Sequence, residues 1–295
     1  MAIDGVFIGL STIDVVYNVA EFPVANTKVA ARSQDVFIGG PATNAAIAFK
    51  RLGGKATVVA ALGRHPVTAL IRDELRKFSV DAIDLNPEFN EIPSISSVAV
   101  DQAGRRNVVS ANTARIRIPY PVVAQKILDQ AKILLVDGHA MQACQTWASA
   151  AKALGKPVVL DGGSWKNGTD ELLKSVHTVI CSADFAAPGC VTASELVEYL
   201  QERGVTNVAI THGADPVRFF SDANSGEIPV PQVEVVDTMG AGDVFHGAFC
   251  YFSAAGMAFE EALERAAAVA SESCRYRGTR EWMEHLSTDS AKGLR

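Results

Sequence analysis

The sequence predicts an α/β protein with a doubly wound, mostly parallel β-sheet that carries helices on both faces, together with a small β lid. Short apolar runs alternate with segments of helical apolar spacing over most of the chain, the pattern of a parallel sheet covered on both sides. Residues 15–38 and 94–111 break this alternation with short β-rich pieces between turn residues, which is typical of strands outside the main sheet. Of the 295 residues, 48% are hydrophobic, so the chain can bury a large core.

The individual elements follow from the local patterns in chain order. Continuous or β-branched apolar runs predict strands at residues 3–10, 57–62, 94–100, 107–111, 133–136, 158–160, 178–181, 208–210 and 233–236. Apolar spacing of three and four residues predicts helices at residues 41–52, 66–78, 120–130, 141–154, 169–175, 192–203 and 259–274. We assign the core domain to residues 1–14, 39–93 and 112–286, the lid to residues 15–38 and 94–111, and a polar, mobile tail to residues 287–295.

Composition and charge exclude several classes of partner. The net charge is −6 and no run of lysine or arginine occurs, so the sequence predicts neither nucleic-acid binding nor attraction to an anionic membrane. No apolar run reaches the length of a membrane span, and the first residues lack the pattern of a signal peptide. The five cysteines are scattered and lie mostly within apolar segments, as reduced core thiols do. We therefore expect a cytoplasmic protein.

The stretch at residues 233–256 predicts an anion site. A β-branched run ends at Asp237, and Gly240 and Gly242 then open a helix that is apolar nearly all round, which is typical of a buried helix. The two glycines allow a tight turn and a close approach to the unpaired N–H groups of the first helical turn, where the helix dipole also favours negative charge. Asp243 lies in that first turn. A glycine turn with a capping aspartate before a core helix is the structural alternative.

A second glycine pair marks another helix start. Gly39 and Gly40 precede Pro41, which suits a first helical position, and Asn44 lies in the first turn that follows. An asparagine at such a place satisfies the cap region in many helices, and it can instead bind a ligand beside the glycine amides. Sites in parallel sheets lie beyond the carboxyl ends of the strands, so residues that follow strands are candidates as well. These residues are Asp14, Asp137, His139, Asp161, Thr211, Gly213 and Asp237.

Both glycine stretches resemble the signatures of one known family. The run DTMGAGDVF at residues 237–245 resembles the C-terminal signature of the ribokinase-like, or PfkB, carbohydrate kinases, and Gly-Gly followed by Asn44 resembles their N-terminal signature. The resemblance runs in order over nearly the whole chain and implies a ribokinase-like fold. It implies that Gly240, Ala241 and Gly242 form an anion hole for the transferred phosphoryl group and that Asp243 is the base that takes the substrate proton.

The resemblance also implies the remaining ligand sites. For the sugar it implies Asp14, Asn26, Gly39, Gly40, Asn44 and His139. For the nucleotide it implies Lys166, Ser182, Thr211, Gly213, Asp215 and Gly242. ATP and Mg²⁺ are the implied cofactors, with Asp184 as a water-mediated metal contact and Asp237 as a candidate site for a monovalent cation such as K⁺.

Two segments depart from the family pattern. Ser182-Ala183-Asp184-Phe185 stands where many members have an Asn-x-x-Glu motif that organises Mg²⁺. Pro216 stands where the nucleotide turn Thr-x-Gly-x-x-Gly has its last glycine. Because proline fixes φ and lacks an N–H, we expect the nucleotide loop to differ from that of other members.

The function predicted from the sequence is ATP-dependent phosphorylation of a primary hydroxyl on a small sugar, ketose or sugar acid. A nucleoside kinase of the same family and a catalytically idle sugar- or nucleotide-binding member are the alternatives. The lid offers only Tyr17, Phe22 and Phe37 as aromatic contacts for a base, and the intact Asp243 argues against an idle member. Motifs of P-loop kinases, dinucleotide-dependent dehydrogenases, zinc enzymes and nucleophile-elbow hydrolases are absent. An exposed face of the lid sheet could pair with a second copy to form a homodimer, or stay solvated.

Overall fold

The computed structural model describes residues 3–102, 104–111, 118–119 and 122–285. Its strands are β1 (Asp4–Ile8), β2 (Thr12–Asn18), β3 (Ser33–Gly39), β4 (Lys55–Ala60), β5 (Asp81–Asp84), β6 (Ile95–Val100), β7 (Arg106–Ser110), β8 (Ile133–Val136), β9 (Val158–Gly162), β10 (Thr178–Ser182), β11 (Asn207–His212), β12 (Asp215–Ser221) and β13 (Ser225–Ile228). Its helices are α1 (Pro41–Arg51), α2 (Thr68–Lys77), α3 (Gln125–Gln130), α4 (Met141–Ala153), α5 (Thr169–Leu173), α6 (Ala193–Gln201), α7 (Ala241–Ala254), α8 (Phe259–Ser273) and α9 (Trp282–His285). The predicted tail at residues 287–295 lies outside the described residues.

Nine of the described strands form one sheet in the order β13-β12-β11-β10-β9-β8-β1-β4-β5. Its pairs are parallel from β5 to β11, and β12 and β13 add an antiparallel hairpin at one edge. Buried apolar clusters cover both faces, with α1, α7 and α8 on one and α3, α4 and α6 on the other. This arrangement confirms the predicted doubly wound, mostly parallel sheet. None of the described helices is both long and apolar enough to span a membrane.

The other four described strands form a small sheet in the order β3-β2-β6-β7, which confirms the predicted lid. Asp14 on β2 pairs with Phe37 on β3 and with Ser96 on β6, so these three side chains lie on one face of the lid. A cavity of about 350 Å³ lies beneath this face, and Asp237 and Thr238 of the core line its other side. The lid therefore covers the signature turn that precedes α7.

The strand predicted at residues 233–236 is wrong. The chain forms no strand there, and the N–H groups of Val236 and Asp237 instead donate to Cys274 O, just after α8, at 2.8 and 3.1 Å. The edge of the sheet that such a strand could join is occupied by the hairpin of β12 and β13. The β-branched residues at 233–236 therefore form an extended segment against the end of α8 and do not join a sheet.

Sequence patterns miss the hairpin of β12 and β13. Gly213, with φ of 67°, makes a two-residue turn with Ala214 between β11 and β12. Pro216 follows at the point where the ladder shifts register between Ile210 and His212. A bulge of this kind tolerates a residue without an N–H, because no ladder hydrogen bond is lost. Pro216 accordingly lies in a strand and not in a flexible glycine loop.

Candidate active site

The N-terminus of α7 presents the predicted anion-binding turn. Gly240 caps the helix in a left-handed conformation with φ of 69°, and a Cβ there would lie 2.8 Å from the Thr279 methyl group. Gly242 lies inside the first turn, where a Cβ would meet no atom of the described chain within 4 Å. The backbone conformation thus requires glycine at the first of these positions only. The Ala241 N–H donates to Thr238 O at 3.3 Å. The N–H groups that follow it in the first turn lack acceptors within the helix, so they are available to an anion.

Asp243 lies directly after this turn and contacts the start of α1. Asn44 donates a hydrogen bond from Nδ2 to Asp243 Oδ2 at 2.6 Å. Burial, and after it the neighbouring carboxylate of Asp161, raise the pKa of Asp243 to about 7 against the opposing effect of the Asn44 hydrogen bond. A carboxylate that titrates near neutrality can take up a proton at physiological pH, as a general base must.

Asn44 does not serve as a helix cap. The N-cap of α1 is Gly40, which makes no side-chain cap hydrogen bond, and the Asn44 side chain reaches across the site instead. Its Oδ1 accepts a hydrogen bond from Arg280 Nη1 at 2.9 Å. Arg280 is a site residue that sequence reasoning missed, because it follows α8 at a separation of 236 residues from Asn44 and belongs to no signature.

The glycine pair before α1 brings Asp14 into the same region. A Cβ on Gly39 would lie 2.0 Å from Asp14 Oδ2, so the close approach of this carboxylate requires glycine. Gly40 follows with φ of 96° and leads into α1. Burial raises the pKa of Asp14, whereas a hydrogen bond with Ser96 and the charge of Arg280 lower it. The charge of Arg280 thus acts on both Asp14 of the lid and Asp243.

Two buried aspartates at strand ends support the site. Asp137 follows β8 and accepts N–H hydrogen bonds from Leu10 at 2.8 Å and Ala42 at 3.3 Å, so it ties the start of α1 to the end of β1. Asp161 in β9 lies with Oδ2 3.5 Å from His246 Nδ1. Burial raises the pKa of Asp161, and the His246 ring opposes that rise. Through these contacts, Asp137 and Asp161 fix the positions of α1 and α7 at the carboxyl edge of the sheet.

His139 and Lys166 lie at this edge as well. The His139 N–H donates to Asp137 Oδ1 at 2.9 Å, and burial lowers the pKa of His139. The Asp137 charge opposes that effect, and the Lys166 charge reinforces it. Lys166 donates from Nζ to Ser164 O at 3.2 Å, which keeps its ammonium at the rim. The structure thus brings the two predicted residues together, one polar and one cationic.

An apolar cavity of about 360 Å³ opens on the other side of the α7 start. Of the predicted nucleotide residues, Thr211, Gly213 and Gly242 line it. Most of its wall is formed by residues that sequence reasoning missed, namely Val217, Val230, Pro231, Val233, Val235, Phe245, Ala267 and Ala270. The signal that could have indicated them is the run of small residues on α8, which leaves space beside the helix. An apolar slot next to an anion-binding turn fits a flat heteroaromatic ring that carries phosphates.

Ser182, Asp215 and Asn26 do not line this apolar cavity. Ser182 ends β10 and donates its hydroxyl to Gly163 O at 3.3 Å. Asp215 begins β12 at an exposed position. Asn26 has φ of 62° and lies in the exposed loop between β2 and β3. No hydrogen bond or ion pair described for the chain connects Asp215 or Asn26 to Asp243.

Metal-binding groups are sparse at the site. No group of three His, Cys, Asp or Glu side chains among the described residues could hold a metal ion. Asp184 is a single exposed carboxylate, which fits a Mg²⁺ ion that keeps several waters and is bound mainly through phosphates. Asp237 accepts N–H hydrogen bonds from Met239 and Gly278, both at 2.9 Å. The buried Oγ1 of the adjacent Thr279 has no hydrogen-bond partner in the described chain, so this turn offers oxygen donors for the predicted monovalent cation.

The lid contacts the core across the crevice. Arg106 of β7 donates to Thr238 Oγ1 in the signature turn. Arg277, which follows α8, donates to Ser33 Oγ at 3.1 Å and to the carboxylate of Asp35 on β3. These contacts join both outer strands of the lid to the region around α7.

Known proteins match this sequence and this fold over almost their full length. The chain matches the family described as pfkB family carbohydrate kinase over residues 3–286. Ribokinase of Haemophilus influenzae is 25% identical over 301 residues, which cover 94% of this chain and 97% of that protein. Ribokinase of Thermotoga maritima has a TM-score of 0.83 at 21% identity, covering 100% of this chain and 99% of that chain. Arabidopsis thaliana ribokinase complexed with ribose and ATP has a TM-score of 0.79 at 23% identity, covering 100% and 99%.

The family match includes both glycine-rich helix starts and every strand of the main sheet. Members of this family are phosphotransferases with an alcohol group as acceptor. The chain is therefore a sugar or nucleoside kinase and belongs to the pfkB family of carbohydrate kinases.

Proposed function

We propose that the protein transfers the γ-phosphoryl group of ATP to a primary hydroxyl of a small sugar, ketose or sugar acid, with Asp243 as general base. The observation that carries this proposal is the place of Asp243, directly after the glycine turn and within 2.6 Å of Asn44 Nδ2. Its pKa, raised to about 7 by burial and by Asp161, suits a group that takes a proton from a hydroxyl.

Each residue of the site has a separate role in the proposed reaction. A sugar hydroxyl is a weak nucleophile at neutral pH, so Asp243 accepts its proton as the oxygen attacks the γ-phosphorus and the bond from that phosphorus to the departing ADP breaks. The N–H groups of Gly240, Ala241 and Gly242 stabilise the charge on the transferred phosphoryl group. Lys166 supplies a further positive charge at the rim of the site. Contact of the lid with the signature turn keeps water from the phosphoryl group.

The apolar cavity beside Gly242 is proposed to hold the adenine and ribose of ATP, with Thr211 and Gly213 at its rim. The ATP-bound ribokinase among the structural neighbours supports ATP as the donor. Mg²⁺, when bound with the nucleotide, neutralises phosphate charge, and Asp184 would contact it through water. K⁺ would be held by side-chain oxygen atoms of Asp237 and Thr279.

The crevice under the lid favours a sugar over a nucleoside as acceptor. Phe37 lines it, but Tyr17 belongs to the opposite face of the lid, and Phe22 lies beneath the Arg105 guanidinium. One aromatic ring from the lid gives a nucleobase less stacking than a pair would. Polar groups such as Asp14 and His139 instead suit hydroxyl recognition. We place this reaction in the cytoplasm, in line with the five unpaired cysteines.

The test of the proposal is Asp243→Asn. The change keeps the size of the side chain and the glycine turn but removes the base, so kcat should fall about 10²- to 10⁴-fold. Purified enzyme is screened with ATP against D-ribose, D-fructose, other ketoses, sugar acids and nucleosides, and kcat is then measured for the best acceptor. ATP and sugar should still bind to the variant, as measured by calorimetry. Near-normal turnover of the folded variant would remove Asp243 as the base.

The pH dependence of the wild-type enzyme provides a second readout. Asp243 acts as a base only when ionised, and its pKa is raised to about 7. We therefore expect kcat/KM to be lost as pH falls through about 7 and to reach a plateau above it. A rate that stays constant down to pH 5 would contradict this assignment.

A further inference from the structure

Arg280 is a buried cation at the back of the site. It follows α8, and only 14% of its side chain is exposed. Its Nε donates to Glu74 Oε1 of α2 at 3.0 Å, its Nη2 donates to Ile38 O at 2.8 Å, and its Nη1 donates to Asn44 Oδ1 at 2.9 Å. Nη1 also donates to Thr279 O at 3.1 Å, and four hydrogen bonds from a planar fork leave the guanidinium little freedom to move.

The contact with Arg280 decides which way the Asn44 amide points. A guanidinium only donates hydrogen bonds, so the atom of Asn44 that faces it must be the carbonyl oxygen. The amide nitrogen then faces Asp243 and donates to its carboxylate at 2.6 Å. With the amide reversed, oxygen would face the Asp243 carboxylate and N–H would face the Arg280 guanidinium, and both contacts would be repulsive.

We propose that Arg280 is a positioning residue for the base: it fixes the Asn44 amide so that its N–H stays on the Asp243 carboxylate and favours the ionised form. This inference rests on the proposed role of Asp243. A hydrogen bond to the charged form of a carboxylate stabilises that form. Arg280 thus adjusts the base through Asn44 without touching the reacting atoms.

Other charges also act on these two residues. Asp161 of β9 and Asp137 after β8 oppose ionisation of Asp243, and His246 of α7 favours it. Burial lowers the pKa of Arg280, and the charges of Glu74, Asp243 and Asp14 oppose that effect. Because Asp161 and Asp137 both disfavour the ionised base, the hydrogen bond from Asn44 is one of the few contacts that keep Asp243 available at neutral pH.

A purely structural role for Arg280 is the competing explanation. The segment after α8 is anchored to α1 by a second arginine, since Arg51 Nε donates to Met283 O at 2.8 Å. Arg51→Met therefore loosens the same segment without touching Asn44. It is the matched control for Arg280→Met.

The test measures the ionisation of Asp243 directly. The enzyme is labelled with ¹³C at aspartate carboxyl groups, the Asp243 signal is assigned by comparison with Asp243→Asn, and it is titrated by NMR without substrate. In Arg280→Met, the apparent pKa of Asp243 should move upward by about one pH unit, since the Asn44 amide is free to reverse and a nearby cation is gone. Arg280→Lys keeps a donor-only cation and should restore most of the wild-type value, and Arg51→Met should leave it unchanged.

Arg280→Met also leaves Glu74 buried without its partner, which threatens folding. The double variant Arg280→Met/Glu74→Gln removes both charges and should show the same upward shift, together with an acid limb of kcat/KM for the best acceptor moved in the same direction. An unchanged Asp243 titration in either folded variant overturns the proposal, as does an equal shift in Arg51→Met. Full turnover by Asp243→Asn would instead overturn the proposed function, while the NMR titration still decides whether Arg280 acts on Asp243.

Discussion

Gly240 and Gly242 look equivalent in the sequence, but they have different backbone conformations. Gly240 has φ of 69° and a Cβ there would lie 2.8 Å from Thr279 Cγ2, whereas Gly242 has open space where its Cβ would be. Gly242 also lines the apolar cavity. The backbone conformation therefore requires glycine at position 240, whereas at position 242 it does not.

This difference gives a paired prediction. Gly240→Ala should lower the free energy of unfolding by about 1–2 kcal/mol, because an L-residue is strained in the left-handed region. Gly242→Ala should leave stability within about 0.5 kcal/mol of wild type and weaken ATP binding, since its methyl group projects into the proposed nucleotide site. Urea denaturation and ATP calorimetry on both variants provide the check. Equal stability losses in the two would contradict the structural distinction.

At the residue scale, the sequence indicated which residues belong to the candidate site better than it indicated which residues they contact. Asn44 stood out by its place after two glycines, but cap and ligand roles could not be separated, because its contacts come from Asp243 and Arg280, 199 and 236 residues away. Arg280 belongs to no signature and follows no strand, so only the folded chain brings it to the site. Local pattern carries no information about contacts at such separations.

The helix α8 was predicted at residues 259–274 and is observed at Phe259–Ser273, but the sequence did not distinguish the uses of its small side chains. Ala262, Leu263 and Ala266 are fully buried in the core. Ala267 and Ala270 of the same helix instead line the cavity proposed for adenine. Small side chains fit both uses, so composition could not distinguish a packing surface from a ligand wall.

A larger side chain on this wall of α8 should obstruct ATP binding if the cavity holds adenine. Ala270→Phe should place a ring in the cavity and raise the Kd for ATP about tenfold or more, because overpacking costs about 1–3 kcal/mol. The KM for the sugar should change little, since the sugar is proposed to bind under the lid. Ala268→Phe, on the same helix but not on the cavity wall, is the control, and both are measured by ATP calorimetry. Equal losses in both variants would place the nucleotide elsewhere.

The lid strands could be predicted because their short β-rich segments interrupt the regular alternation of strands and helices. The observed pairing of β2, β3, β6 and β7 agrees with that interpretation.

We predict that the lid closes further when sugar binds. Hydrogen exchange of peptides from these strands should slow when the best acceptor and a non-hydrolysable ATP analogue are added, while β8 and β9 stay unchanged. Identical exchange of the lid peptides in both states would argue against closure.

At the scale of the whole molecule, the parallel sheet brings residues that are distant in the sequence to one edge. The ends of β8, β9 and β10 lie side by side, so Asp137, Asp161 and Ser182 reach one edge of the sheet, where α1 and α7 also begin. The prediction of a doubly wound, mostly parallel sheet is confirmed. The strand predicted at residues 233–236 is wrong, because the conformation of such an irregular segment is set by the space between elements.

The lid sheet has a second face, opposite to the one that covers the crevice. Val36, Val15, Ser97 and Val109 are cross-strand neighbours in one row, on the face opposite to Asp14. Val36 is 53% exposed and Val109 is 75% exposed. Exposed valines at both outer strands of a sheet are typical of a surface that pairs with another molecule.

We therefore predict that two copies associate through their lids to form a homodimer. Lysine at Val36 and Val109 would bring like charges together across a symmetric interface, so Val36→Lys/Val109→Lys should run as a monomer in light scattering coupled to size exclusion, where the wild type runs as a dimer. Val191→Lys changes an equally apolar residue, 90% exposed, on the core, and should remain dimeric. A wild-type monomer at micromolar concentration would leave the lid face solvated and would contradict the dimer. Because each lid also covers its own crevice, the monomeric variant should show a raised KM for the sugar with a smaller change in the Kd for ATP.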